Sequence, residues 1–176
     1  MDIRVLEPED IADVKKIFYE SSTVKEFKDV EAKKSFEWKY FGWYLQNYPE
    51  LFFVACETET GNQKPTILGY IASCPETLKA KDLMHANPSL EIFIDLYAEF
   101  PAHLHMNLTE KARGKGIGTL LIQTLESCLR LRGIKGLHLI TSPSARNRSF
   151  YAKNLFTVTH ERKFKDIPLL FMAKEI

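Results

Sequence analysis

At 176 residues, 45% of them apolar and 12% aromatic, the chain suits one domain with a sizeable core and leaves little room for two. Its 24 basic and 23 acidic side chains leave a formal charge of +1, which argues against a general nucleic-acid binder and against an intrinsically disordered chain. Cys56, Cys74 and Cys128 are odd in number and far apart, so neither a disulfide framework nor a zinc cluster is expected, and no metal site is assigned. No apolar run approaches the ~20 residues of a membrane span. Met1-Asp2-Ile3-Arg4 lacks the basic-then-apolar pattern of a signal peptide, so a cytoplasmic domain with no membrane and no nucleic-acid partner is expected.

Ile3-Arg4-Val5 reads as a short strand, and Pro8-Glu9-Asp10 then opens a helix carrying Ile11, Val14, Ile17 and Phe18 at helical spacing. The stretch from Phe36 to Tyr48 is dense in aromatics (Phe36, Trp38, Tyr40, Phe41, Trp43, Tyr44, Tyr48), which read as core before they read as a ligand cage. Leu51 to Cys56 and Ile67 to Ala72 are apolar runs joined through Gly61-Asn62-Gln63-Lys64-Pro65, a hairpin signal. A polar stretch from Pro75 to Pro101 follows, with a helix expected from Leu90 to Ala98. His103 to Leu108 is the next strand, and it runs into a glycine-rich turn. Beyond the turn, Ile117, Leu120, Leu121, Leu125, Cys128 and Leu129 mark one helical face, with Gly133 as its stop. Leu137 to Thr141 reads as a strand and Ser149 to Leu155 as a short helix. Two last strands flank Asp166-Ile167-Pro168. Strands and helices mix within one domain over residues 1–176, so the class is α+β with a mixed sheet.

The turn itself reads Arg113-Gly114-Lys115-Gly116-Ile117-Gly118, between a strand and an amphipathic helix. Glycines permit a tight turn and close backbone approach, and a helix start offers unpaired N–H groups at the positive end of its dipole. With Lys111, Arg113 and Lys115 nearby, this is a cradle for a diphosphate. It is not a P-loop, which needs two glycines with four residues between them, the second followed directly by Lys-Ser/Thr. Nor is it a dinucleotide fingerprint, because the third glycine comes too early and no carboxylate stands near Gly136-Leu137-His138.

Arg-x-x-Gly-x-Gly in this setting resembles the acetyl-CoA pyrophosphate signature of the GNAT superfamily of N-acetyltransferases. Tyr44-Leu45 through Pro49–Ala55, then Leu68-Gly69-Tyr70-Ile71, look like that family's second and third strands. Phe150–Phe156 resembles its late Phe-Tyr-x-Lys-Leu-Gly-Phe stretch. Pro101 to Leu108 is similar to the strand of a subset, the acetyltransferase-like domain attached to some β-N-acetylglucosaminidases. Three positions depart from the pattern. Leu155 replaces the glycine of Leu-Gly-Phe, so the local turn is expected to differ. Ser144 stands where an Asn often precedes the tyrosine, with Asn147 the other candidate for that contact. Asn107 stands where the subset is expected to have Asp.

The resemblance implies a GNAT-type single domain. Its central mixed, mostly antiparallel twisted sheet would be flanked by helices, with a CoA cleft between two splayed central strands. It implies acetyl-CoA as cosubstrate, held by Met106, Leu108, Arg113, Gly114, Lys115, Gly116, Ile117, Gly118, Asn147 and Tyr151. Main-chain groups of Met106 and Leu108 would hold the pantetheine arm, and the N–H near Leu108 the thioester oxygen. Tyr151 would protonate the departing thiolate. Arg146, Arg148 and Lys153 are either ribose-phosphate contacts or solvated charge. An amine of pKa ~10.4 costs about 4.6 kcal/mol to deprotonate at pH 7, so a general base helps. His105 and His103, on one strand face beside Asn107, are the candidates; each also reads as an ordinary hydrogen-bonded histidine. The acceptor is expected to be a small-molecule or peptide amine, drawn by Trp38, Tyr40, Trp43, Tyr44 and carboxylates such as Glu76, Asp82, Glu91, Asp95 and Glu99, which otherwise form a solvated face. A homodimer is compatible with this reading. Two functions follow: acetyl transfer to a primary amine, or a non-catalytic acyl-CoA-binding module.

Overall fold

The structure is a computed structural model that describes residues 1–57 and 64–176. Gly61-Asn62-Gln63 of the expected hairpin turn therefore lie outside the described residues. In chain order the elements are β1 (Asp2–Val5), α1 (Ile11–Ser21), α2 (Val30–Glu37), α3 (Trp43–Asn47), β2 (Phe52–Glu57), β3 (Thr66–Cys74), α4 (Lys81–Ala86), β4 (Ala102–Leu108), α5 (Ile117–Leu131), β5 (Gly136–Thr141), α6 (Arg148–Lys153), β6 (Val158–Phe164) and β7 (Ile167–Glu175). They fall into two compact units, residues 1–73 with 105–127, and 74–104 with 128–176. The seven strands form a mixed sheet in the order β1-β2-β3-β4-β5-β7-β6, and β4 contributes residues to both units. The class is α+β, as the alternation of patterns implies.

In the first unit β1, β2 and β3 are antiparallel, with a bulge between Ala55 and Cys56. The chain enters α1 through a short 3₁₀ turn with Pro8 at its first position, where a missing N–H costs nothing. Asp10 is buried there and fully used: it accepts the Glu7 N–H at 3.0 Å and both arms of the Arg4 guanidinium at 2.6 and 3.1 Å. Between α2 and α3 lies a π-helical turn, Trp38–Gly42, which advances the face of the helix by one residue. Phe41, Trp43 and Tyr44 turn into the core, while Phe36, Trp38 and Tyr40 stay half-buried.

In the second unit β4 pairs with β5 in parallel at Ala102↔Leu137 and His103↔His138, and β5, β7 and β6 are antiparallel. The helix expected over Leu90–Ala98 is a 3₁₀ helix, Pro88–Leu96, interrupted at Phe93. At three residues per turn, Leu90 and Phe93 share a side and both are buried. Phe93, Tyr97 and Phe100 form a core cluster with Phe171 and Ala173, so the stretch taken as polar supplies much of this unit's interior. Arg162 on β6 holds it in place, donating to Asp95 Oδ2 at 2.8 Å with its guanidinium over the Phe93 ring. The last hairpin also differs from expectation: Ile167 and Pro168 belong to β7, and the turn is Lys165-Asp166.

Two helices in this unit end in the same way. After α5 the Gly133 N–H donates to Arg130 O and the Ile134 N–H to Leu129 O, with Gly133 at φ +73°. After α6 the Leu155 N–H donates to Ala152 O and the Phe156 N–H to Tyr151 O, with Leu155 at φ +67°. Both are Schellman caps, and the second carries the usual hydrophobic clasp, Phe156 against Tyr151 at 5.6 Å. The glycine-less turn therefore does not differ; leucine is forced into the left-handed region. That strain is about 1–2 kcal/mol, and glycine's extra unfolded-state freedom returns about 0.4–1 kcal/mol. Because Leu155 is 67% exposed and loses little packing, Leu155→Gly should stabilise the protein by about 0.5–1 kcal/mol in urea unfolding.

His138 is wholly buried between the Tyr97 and Phe171 rings, at 4.8 and 4.7 Å, and donates Nδ1–H to Phe100 O at 2.7 Å. Burial pushes its pKa down to about 3, so it is neutral when folded and protonates near 6.5 when unfolded. Its contribution is fully present above pH 6.5 and is lost as pH falls toward 3. The urea midpoint should drop between pH 6.5 and 5, before carboxylates titrate, and the drop should shrink in His138→Gln. A flat midpoint across that window would mean the ring is not held neutral.

Candidate active site

β3 and β4 approach closely in the first unit because Gly69 has no side chain: a Cβ there would lie 2.8 Å from Asn107 O and would overlap the Leu108 side chain. The Thr109 N–H extends this contact to Leu68 O at 2.9 Å. Beyond it a 3₁₀ turn, Glu110–Ala112, leads into the glycines. Gly114 and Gly116 sit at φ +75° and +78°, and a Cβ on either would meet nothing within 4 Å, so the backbone faces open space. Arg113 and Lys115 are exposed beside it, while Ile117 is buried and pins the start of α5. The residues present fit a diphosphate: an open, basic main-chain concavity at the head of a fifteen-residue helix. Met106 and Leu108, half-buried on the preceding strand, lead directly into it.

His105 is half-buried on the same strand, and its ring is walled by Phe18, Tyr40, Tyr44 and Tyr70 at 5.9–6.4 Å. Burial lowers its pKa to about 4, so it is uncharged at neutral pH. The Tyr70 hydroxyl lies 3.5 Å from His105 Nδ1 and accepts a 2.8 Å hydrogen bond from Asn107 Nδ2. Tyr70 is the functional candidate that the sequence reading passed over. Its signal was the glycine before it, which marks a close strand approach. His103 belongs instead to the core of the second unit. The Thr77 hydroxyl donates to Pro101 O and lies 2.8 Å from His103 Nδ1, so His103 has a structural bond at that nitrogen.

The second unit holds Asn147 and Tyr151. Tyr151 is buried on α6, against the Phe150 and Phe156 rings, and burial raises its pKa so that it keeps its proton at physiological pH. Asn147 precedes α6: its carbonyl accepts the Tyr151 N–H at 3.1 Å, and its Oδ1 accepts from the Thr141 hydroxyl at 3.3 Å. Ser144 bonds Ser142 at 2.9 Å. An open groove of about 600 Å³ runs beside α6, lined by Arg146, Arg148, Ser149, Ala152, Phe156 and Met172 among others. Of the acidic candidates, Glu76 pairs with Lys79 and Asp95 with Arg162.

Residues 12–155 match the model of the Acetyltransferase (GNAT) family. Among solved structures the chain is similar to SsHAT at 20% identity and a TM-score of 0.76, over 99% of this chain and 97% of that one. It is similar to the ribosomal-protein-alanine N-acetyltransferase of Brucella melitensis at 18% identity and TM-score 0.60, over the full length of both. A chain of the NatB acetyltransferase complex bound to CoA and MES matches at 17% identity and TM-score 0.65, over 100% of this chain and 99% of that one. At these identities the neighbours share the fold. The strand, glycine turn and helix fall inside the matched span, and the chain belongs to the acetyltransferase (GNAT) family, whose cosubstrate is acetyl-CoA.

Proposed function

We propose that the protein is an N-acetyltransferase that moves the acetyl group of acetyl-CoA to a primary amine by direct attack in a ternary complex. The observation that carries this reading is the open main-chain cradle of Gly114 and Gly116 at the head of α5, with Arg113 and Lys115 beside it. Its N–H groups, with those of Ile117 and Gly118, take the CoA diphosphate. Main-chain groups of Met106 and Leu108 take the pantetheine arm, and the N–H near Leu108 faces the thioester oxygen, where negative charge develops. Asn147 is carried as a CoA contact by the family resemblance alone.

In the reaction the amine nitrogen bonds to the thioester carbon, the carbon–sulfur bond breaks, the nitrogen gives up a proton, and the thiolate gains one. Tyr151 supplies the thiolate's proton: it is a neutral phenol at physiological pH. His105 is the catalytic residue on the amine side. It is uncharged at neutral pH, with one nitrogen that accepts and one that donates. The free thiols Cys56, Cys74 and Cys128 suit a reducing compartment such as the cytoplasm. Among the described residues no helix is long and apolar enough to cross a membrane.

The test is calorimetry with CoA, followed by thiol release from acetyl-CoA across an amine panel. Peptides belong in it because neighbours of the same fold are named for acting on a ribosomal-protein alanine and as the NatB complex. Amino sugars belong because Pro101–Leu108 resembles the β-N-acetylglucosaminidase-associated domain, and polyamines complete it. We expect CoA to bind and at least one amine class to release thiol. Binding with no turnover on any amine would leave the non-catalytic module, and no binding would remove both readings.

A further inference from the structure

Tyr70 is fully buried on β3, and among the described residues its hydroxyl meets two polar groups, both from β4. Asn107 Nδ2 donates to the oxygen at 2.8 Å, and His105 Nδ1 lies 3.5 Å away. A phenol oxygen accepts, but it also has one hydrogen to give. With Asn107 in the donor role, the acceptor within reach of that hydrogen is the His105 Nδ1 lone pair. A neutral imidazole carries a single N–H, so a lone pair at Nδ1 puts the hydrogen on Nε2. We propose that Asn107, acting through the Tyr70 hydroxyl, holds His105 in its Nε2–H form, so that the ring offers a hydrogen-bond donor and not a base on its other edge.

Phe18, Tyr40 and Tyr44 meet the His105 ring through their own rings, whereas Tyr70 brings its hydroxyl to Nδ1. The ring stays neutral over the physiological range, which makes its single proton position a defined quantity. Polarity along the chain is set at the Asn107 end, where the bond is short. A carboxamide can turn either atom to the phenol, and here it turns its NH₂. A carboxylate has no such choice: it can only accept. Asn107→Asp would draw the Tyr70 hydrogen to itself, and His105 would then donate Nδ1–H to Tyr70 and leave its Nε2 lone pair free. One side-chain amide thus decides whether the histidine beside it donates or accepts. Tyr70 and Asn107 are positioning residues.

The catalytic meaning of this arrangement rests on the acetyl-transfer reading. In the Nε2–H form His105 would orient a bridging water by its oxygen, and the amine's proton would leave through that water to bulk solvent rather than to the ring.

The tautomer is read by NMR of the protein labelled with ¹⁵N at its imidazoles, at pH 7 with no ligand added. Long-range proton–nitrogen correlations should show His105 Nδ1 in the unprotonated, pyridine-like range and Nε2 in the protonated, pyrrole-like range. Asn107→Asp should exchange the two. A wild-type ring protonated at Nδ1, or a pattern unchanged by Asn107→Asp, overturns the proposal. Should that variant fail to fold, Tyr70→Phe takes its place: the two nitrogens should move toward averaged values, and an unaltered Nε2–H pattern overturns it. A merely structural contact would shift neither assignment. The spectra need neither acetyl-CoA nor an amine, so their failure leaves the transfer reading standing, and an inactive amine panel leaves the tautomer standing.

Discussion

Tyr151→Phe is expected to lower kcat for acetyl transfer by roughly 100-fold, within the usual range for loss of a positioned acid, while leaving CoA affinity nearly unchanged. The two effects separate because the ring and the hydroxyl do different work. The ring clasps Phe156 at 5.6 Å across the cap of α6, and phenylalanine keeps that contact and the fold. In the proposed reaction the hydroxyl is the group that protonates the thiolate, and burial raises its pKa so that the proton is present at physiological pH. Steady-state kinetics with calorimetry measures both halves. If kcat survives, the thiolate departs unaided and Tyr151 is a packing residue. If Kd for CoA rises with it, the variant has disturbed α6.

Gly114→Ala and Gly116→Ala should each weaken CoA binding about tenfold or more. Neither methyl would collide with anything, since no atom lies within 4 Å of either position. The penalty is in the backbone: an alanine held at φ +75° or +78° carries about 1–2 kcal/mol of strain. The turn relieves it by rotating its N–H groups off the diphosphate, and a loss of about 1.4 kcal/mol is tenfold in Kd. Gly133→Ala is the control, because Gly133 has nearly the same angle, φ +73°, at the far end of α5. Gly133→Ala, held at its angle by the cap of α5, should lower the melting temperature more than the other two, and only the first two should raise Kd. CoA binding to Gly116→Ala at wild-type strength would remove the turn from the site.

The elements legible in the chain were those whose physics is local. Glycines before an apolar face of period 3.6 announced the turn and α5, Gly133 announced its end, and continuous apolar runs announced β2 and β3. What the pattern left open lay where two local rules compete. The helix expected over Leu90–Ala98 is there, but apolar residues three apart fit both an α-helix and the 3₁₀ helix of Pro88–Leu96, and the demand to bury Phe93 with Phe171 decided its type. Leu155 carries no local signal for a left-handed turn; the cap and its Phe156–Tyr151 clasp impose it.

The site divides along the same line. The cradle is one continuous segment, so its residue order alone determined it. So did the strand alternation that sets His105 and Asn107 on one face. Strand register then separated the two histidines that pattern treated alike: His103 meets Thr77, while His105 meets Tyr70. Tyr70 lies 35 residues from His105 and 37 from Asn107 in sequence, and only the close passage of β3 beside β4 at Gly69 joins them. Hydrogen-bond direction between distant side chains depends on which atoms face each other after packing, and no local propensity encodes it.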